Sequence, residues 1–377
     1  MHTRLAATGL LVAALAVVNP SWHGHAAVQQ VLDRAVTGGA PGISAEIRGP
    51  DRTWYGTAGV ADITTGRQRK PPDRFRIGST TKTFVATVLL QLVAEHRLRL
   101  DDPVERWLPG VVRGNGQDGR RVTIREMLGQ TSGIFDYQGD PMLQKQSVGT
   151  PFLVHRFDQY TPDQLVQIAM ANPSPFAPGT SWGYSNTNYI LLGMIIERIT
   201  GRSLVQEIAL RIARPLGLTG TYLPDATDTS ILAPHGRGYS KLLLPDPTPI
   251  YDVTELSPSW SWAAGGLIST VGDLTRFFGA LLAGTLLPPA EQRAMFNTRP
   301  TIGWIPNTTY GLGMSSITLS CGQVVWGMGG AINGSFSYTY GTRDGSTLLA
   351  LNVNGDWNNP IDTFTQALEA QFCPAVG

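Results

Sequence analysis

Within residues 80–96 the run TKTFVATVLLQLVAEH is apolar nearly all round a helical wheel and holds neither glycine nor proline. A helix without a polar face must be covered on every side. Only a chain with enough apolar material to wrap it can fold around such an element. At 377 residues, 42% hydrophobic and 15% charged, this chain has that capacity in one large domain or two interlocked ones.

The flanking patterns say what the wrapping consists of. Residues 27–36 have helical spacing, and the alternating runs 43–48 and 53–61 read as a hairpin of strands. Strand-like apolar runs return late, at 323–328, 335–340 and 347–353, followed by a helix over 361–372. Strands at both chain ends imply one sheet closed by both termini. Between them, residues 98–264 alternate helical stretches such as 190–199 with loops rich in Pro, Gly, Asn and Asp. The expected fold is α/β (α+β): an antiparallel sheet flanked by helices, built from residues 28–97 and 265–377, with an inserted all-helical lobe over 98–264. A ligand cleft is expected between the lobes.

Arg4, an uncharged run of 14 residues from 5 to 18, Pro20 and small residues at Ala26 and Ala27 read as an export signal over residues 1–27. The run is too short for a stable membrane span, so a secreted protein without a stable membrane anchor is expected. A net charge of +1 with no basic run offers no footprint for nucleic acid. Cys321 and Cys373 are the two cysteines, and in an exported chain they are expected to pair; two separate buried thiols are the alternative. A monomer is expected. No metal or cofactor is expected, because no histidine–carboxylate spacing resembles a metal site.

Ser79 and Lys82 lie three residues apart at the start of the apolar helix, on one face and within hydrogen-bonding reach. Serine needs a neighbouring base, and a desolvated lysine supplies one because burial disfavours its charge. The chain has four lysines against 25 arginines. A lysine inside an apolar helix of such a chain suggests a need for a group that can lose its proton, which arginine cannot do. A lysine snorkelling from a helix end is the plainer alternative. Tyr184-Ser185-Asn186 adds a phenol whose pKa a neighbouring cation lowers, and an amide able to bind Lys82 and a substrate carbonyl; a loop tyrosine capping a helix is the rival reading. Trp326-Gly327-Met328-Gly329-Gly330-Ala331 is a strand whose glycines admit another backbone, or else a bulge.

In this order the three elements resemble the serine penicillin-recognising enzymes, in the branch of secreted D-alanyl-D-alanine carboxypeptidases and class C β-lactamases. The resemblance extends over Leu128-Gly129-Gln130-Thr131-Ser132-Gly133, Pro178-Gly179-Thr180, Trp260 with Ala264-Gly265-Gly266, and Tyr310-Gly311-Leu312-Gly313. It implies a β-lactamase/transpeptidase-like fold and a small peptide or ester acyl donor, with β-lactams as further ligands. Ser79 would be the acylated nucleophile, Lys82 its proton acceptor and Tyr184 the shuttle to the leaving group. Asn186 would donate to a substrate carbonyl, Trp260 would wall the cleft, and the N–H groups of Ser79 and Ala331 would form the oxyanion hole. Met328, Gly329 and Gly330 would flank the substrate. The two cysteines match the disulfide of the secreted carboxypeptidases.

One stretch departs from the family. Where relatives carry lysine or histidine, then hydroxyl residues around a glycine, this chain has Met328, Gly329, Gly330 and Ala331, and residues 314–320 hold no cation. Hydrogen bonds to charged groups contribute about 1.5 to 3 kcal/mol each, so recognition of a free carboxylate is weakened. Two enzyme readings follow: hydrolysis of a D-alanyl-D-alanine bond, or an esterase, D-amidase or peptide cyclase on the same scaffold. A slowly deacylating penicillin-binding sensor is the non-catalytic alternative. Gly179-Thr180-Ser181-Trp182-Gly183 fits a nucleophile elbow with His235 as base, but Pro173, Pro175 and Pro178 exclude the strand such an elbow needs.

Overall fold

The computed structural model describes residues 21–245 and 249–373, so the apolar run at 5–18 lies outside the described residues. Among those residues one sheet holds nine strands: β1 (Gly42–Arg48), β2 (Thr53–Asp62), β3 (Arg67–Gln68), β4 (Arg299–Pro300), β5 (Thr308–Tyr310), β6 (Ser315–Thr318), β7 (Val324–Ile332), β8 (Ser335–Gly341) and β9 (Leu348–Val353). Their order is β4-β5-β6-β7-β8-β9-β1-β2-β3, with every pairing antiparallel. Both chain ends meet where β1 pairs with β9, Ile43 opposite Val353.

The run in β9 is almost continuously apolar because both sheet faces are covered there, whereas β1 alternates, with Ser44 and Glu46 between its apolar residues. Leu349, Leu351 and Val353 pack with Val28, Leu32 and Phe364 of the terminal helices α1 (Ser21–Thr37) and α5 (Pro360–Phe372). Leu348 and Ala350 alternate to the other face and join the larger core with Phe277 and Phe278 of α4 (Val271–Leu282). The all-round apolar helix is α2 (Thr81–Ala94), buried along most of its length against α3 (Asn186–Thr200) and the short helix Trp262–Gly265. A 3₁₀ turn, Gly78–Thr80, leads into it.

Two expectations need correction. The inserted region is mostly helical but not all-helical: it holds small hairpins, Arg113–Gly114 with Gln117–Asp118 and Tyr239–Ser240 with Tyr251–Asp252. The first turns through Asn115 and Gly116, both at positive φ, a pair that favours tight hairpins. Strands β4, β5 and β6 carry no recognisable pattern because all three are short and β5 and β6 are rich in hydroxyl residues.

Cys321 and Cys373 are joined, which ties the β6–β7 turn to the end of α5. Beside them Ser320 donates from its nitrogen and hydroxyl to the Glu369 carboxylate, at 2.8 and 2.7 Å.

Strand β7 runs through its glycines to Ile332, and one of them, Gly330, serves contact with the protein's own turn at Gly78–Thr80, while Gly327 and Gly329 abut β8. A Cβ on Gly330 would strike the Ile77 carbonyl oxygen and lie 2.7 Å from the Ser79 nitrogen. A Cβ on Gly78, whose φ is +51°, would lie 2.7 Å from the Ala331 nitrogen. Gly330→Ala is therefore expected to force turn and strand apart, costing about 1 to 3 kcal/mol by analogy with overpacked cores. A lowered urea midpoint with an unchanged m-value checks this.

Candidate active site

The amine of Lys82 has no solvent exposure and three partners. Nζ donates to Ser79 Oγ at 3.0 Å, to Asn186 Oδ1 at 2.7 Å and to the Ala264 carbonyl at 2.6 Å. The helical pitch brings Ser79 and Lys82 together, while α3 and the Trp262–Gly265 helix provide the other two acceptors. Burial pushes the Lys82 amine down to about 7, with the negative charge of Asp136 opposing. An ammonium so placed releases its proton near neutrality, as a base to Ser79 Oγ must.

Asp136 escaped the sequence reading. It follows the Leu128–Gly133 motif by three residues and carries no pattern of its own. Its carboxylate accepts from the Asn186 nitrogen at 3.2 Å and from Asn186 Nδ2 at 3.0 Å. Gln138 Oε1 accepts from the same Nδ2 at 3.0 Å. Both Asn186 amide protons are thereby used, and Oδ1 is turned to Lys82. The expectation that Asn186 donates to a substrate carbonyl is corrected accordingly: Asn186 orients the lysine. Gln138 lines the cleft and keeps its own amide nitrogen near it, with only a long 3.5 Å contact to the Tyr137 hydroxyl.

Tyr184 lies close enough to Ser79 for that side chain to act on its proton affinity. Its ring stacks on Trp304, with centroids 5.8 Å apart and planes 16° apart, and lies against Trp182 at 6.4 Å. Tyr310 packs on both tryptophans, closing an aromatic box. The Lys82 amine lies 4.9 Å from the Tyr184 ring centroid, yet the phenol is not acidified. Burial holds it well above the usual phenol range, the neighbouring Tyr310 raises it further, and the Ser79 side chain opposes this only in part. The expected lowering by a cation fails because desolvation outweighs it. Trp304 also went unread, being one aromatic residue in the loop between β4 and β5.

On β7, pairing with β6 ends at Gly327, which leaves residues 328–332 without a strand partner on that edge among the described residues. Met328 is fully buried, with its sulfur 3.8 Å from Ser315 Oγ, and a Cβ on Gly329 would meet the Tyr338 ring at 2.5 Å. Neither position presents a side chain to substrate, so any flanking of substrate here falls to the backbone edge. Ala331 does reach a cleft of about 530 Å³, together with Tyr137, Gln138, Trp260, Asn333 and Phe336. Ser181 sits in an irregular loop with no strand before it, and the His235 ring contacts the Gly236 carbonyl at 2.8 Å, so the elbow pattern has no partner.

The family model Beta-lactamase matches residues 27–372. The solved structure of a D-stereospecific amidohydrolase from a Streptomyces species is similar at 48% identity and a TM-score of 0.86, over 93% of this chain and 98% of that one. The D-amino acid amidase of Ochrobactrum anthropi SV3 is similar at 27% identity and a TM-score of 0.80, over 92% and 98%. Esterase EstB of Burkholderia gladioli is 32% identical over 203 residues, 52% of this chain and 49% of EstB. The chain spans about half the length of the curated relatives it matches first. With a matching model over nearly its whole length and amide and ester hydrolases as relatives, the chain belongs to the Beta-lactamase family of serine penicillin-recognising enzymes and is a serine hydrolase in the general sense.

Proposed function

We propose that this chain hydrolyses amides or esters of D-amino acids through an acyl-enzyme on Ser79, in preference to peptides that end in a free carboxylate. The observation that carries the reading is the uncharged leaving-group side of Tyr184. Trp182, Trp304 and Tyr310 wall it, and Met328 stands buried where carboxylate-binding relatives carry a cation or imidazole. Similarity to a D-stereospecific amidohydrolase and a D-amino acid amidase agrees with it. The free-acid carboxypeptidase is the rival. Export, with the Cys321–Cys373 disulfide suited to an oxidising compartment, and action as a monomer are part of the proposal.

In acylation, neutral Lys82 takes the Ser79 Oγ proton as Oγ bonds the substrate carbonyl carbon. The N–H groups of Ser79 and Ala331 face the developing oxyanion; the close approach of Gly78 and Gly330 brings these two backbones together. Tyr184, a neutral phenol, passes its proton to the leaving nitrogen or oxygen as that bond breaks, and regains one from Lys82. Water then attacks the acyl-enzyme by the same steps reversed. The acyl side chain occupies the cleft bounded by Trp260, Ala331 and Phe336, and Gln138 is placed to donate to an acyl-part carbonyl.

A panel with a constant D-acyl group tests the substrate claim: a primary amide, an aryl ester and a D-alanyl-D-alanine peptide with a free carboxylate. Amide and ester should exceed the free acid in kcat/KM by about ten- to a hundredfold, the worth of one missing charged hydrogen bond. Preference for the free acid sinks the reading, and Ser79→Ala should remove turnover of all three.

Because the base works deprotonated, kcat/KM should fall as pH drops through about 7, the value to which burial lowers Lys82. Lys82→Arg should lose about a hundred- to ten-thousandfold at every pH, since guanidinium keeps its proton. A profile flat from pH 5 to 9 (on the order of two units either side) contradicts Lys82 as base.

Trp304→Ala should cut kcat about two- to tenfold by freeing the Tyr184 ring, a loss matching the worth of one aromatic pair. Trp304→Phe should retain most of the rate. Equal losses in both variants would show that stacking is not what matters.

A further inference from the structure

A small second cavity, about 20 Å³, lies behind the cleft and shares Asn333 with it. Its lining includes Arg69, Arg76 and Arg237 and no carboxylate. Arg237 is neutralised by Asp62 and Asp252, at 3.2 and 2.5 Å. Arg76 directs its donors to the carbonyls of Thr229, Thr254 and Leu256. Arg69 differs from both. It is 3% exposed, and its Nη2 donates to Ser44 Oγ at 3.0 Å and Asn352 Oδ1 at 2.5 Å. Its Nε and Nη1 are buried and meet no protein acceptor, and the same holds for Asn333 Nδ2. Asp73, the acid that acts on Arg69 through its charge, is bound by Arg67 and by the Lys70 nitrogen, each at 3.0 Å.

A buried charge is costly unless paired, and guanidinium cannot escape the cost by losing its proton. Three orphaned donors, two of them on a cation, outnumber the one orphaned acceptor of the lining, Asn354 Oδ1, and call for an acceptor that carries negative charge. The room admits one water-sized particle, for which about 10 to 15 Å³ suffices, and is too small for phosphate or a carboxylic acid. Water satisfies donors but brings no charge. We propose that this cavity is a binding site for a monatomic anion of the halide class, held by Arg69 Nε and Nη1 with Asn333 Nδ2 beside them.

The site bears on the catalytic turn through a short chain of hydrogen bonds. Arg69 holds Asn352, Asn352 Nδ2 donates to Ser335 Oγ at 2.9 Å, and Ser335 Oγ donates to the Arg76 carbonyl at 2.8 Å, three residues before Ser79. An anion on Arg69 thus steadies the segment that carries the nucleophile, and it does so whatever substrate the enzyme takes.

Crystals grown without halide and soaked in sodium bromide should give an anomalous peak in this cavity, and thermal unfolding should be compared in chloride, bromide and gluconate at equal ionic strength. Halide should raise Tm of the wild type by about 2 to 4 °C, and Arg69→Met should lose that shift. If the variant does not fold, the bromide peak decides alone. Water without anomalous signal in the cavity, or an equal halide shift in Arg69→Met, overturns the proposal.

Discussion

Everything in the site hangs on keeping one amine dry. Lys82 enters from the most apolar helix of the protein and finds three oxygen acceptors, each from a different stretch of chain: Ser79, Asn186 and Ala264. In water that amine would be a solvated ammonium and useless as a base. Dehydration lowers its proton affinity, and the three acceptors keep the charged form tolerable when it does form. Asp136 completes the balance by adding negative charge without touching the amine, acting through Asn186. The all-round apolar helix that first constrained the fold is therefore also the device that tunes the base.

The roles of the two proton-carrying groups separate on the same ground. Lysine loses charge on burial, so its proton is released more easily; tyrosine gains charge on ionising, so its proton is held more tightly. Lys82 is fully buried and Tyr184 partly so, and the two move in opposite directions. The proposed base and the proposed acid can then both be neutral beside Ser79. The aromatic box supports this division by holding the phenol ring in place.

Ser79, Lys82 and Tyr184 are legible in the amino-acid sequence because short stretches of it encode their relation: a one-turn spacing on a helix and a loop tripeptide before another. The sheet is legible where its strands alternate, as in β1 and β8, or run apolar, as in β9. Strands β4 to β6 are not, since they are short and, in β5 and β6, polar residues satisfy one another by hydroxyl contacts such as Thr309 with Ser316. Asp136, Gln138 and Trp304 owe their roles to packing between segments distant in the chain, which no spacing rule reports. At Asn186 a neighbour supplied by tertiary structure, Asp136 with Gln138, already takes the amide protons that substrate was expected to meet.

The pairing of β1 with β9 has a kinetic side. Strand β1 lies between β2, which follows it, and β9, so its ladder cannot be completed until residues 348–353 are available. Such distant contacts raise contact order, and chains of high contact order fold slowly because a large loop must close before any reward arrives. The turn bearing Ser79 rests against β7, so until residues 324–332 are in place Ser79 and Lys82 lack the strand backbone that the proposed oxyanion hole requires. On that proposal, reactivity waits for β7.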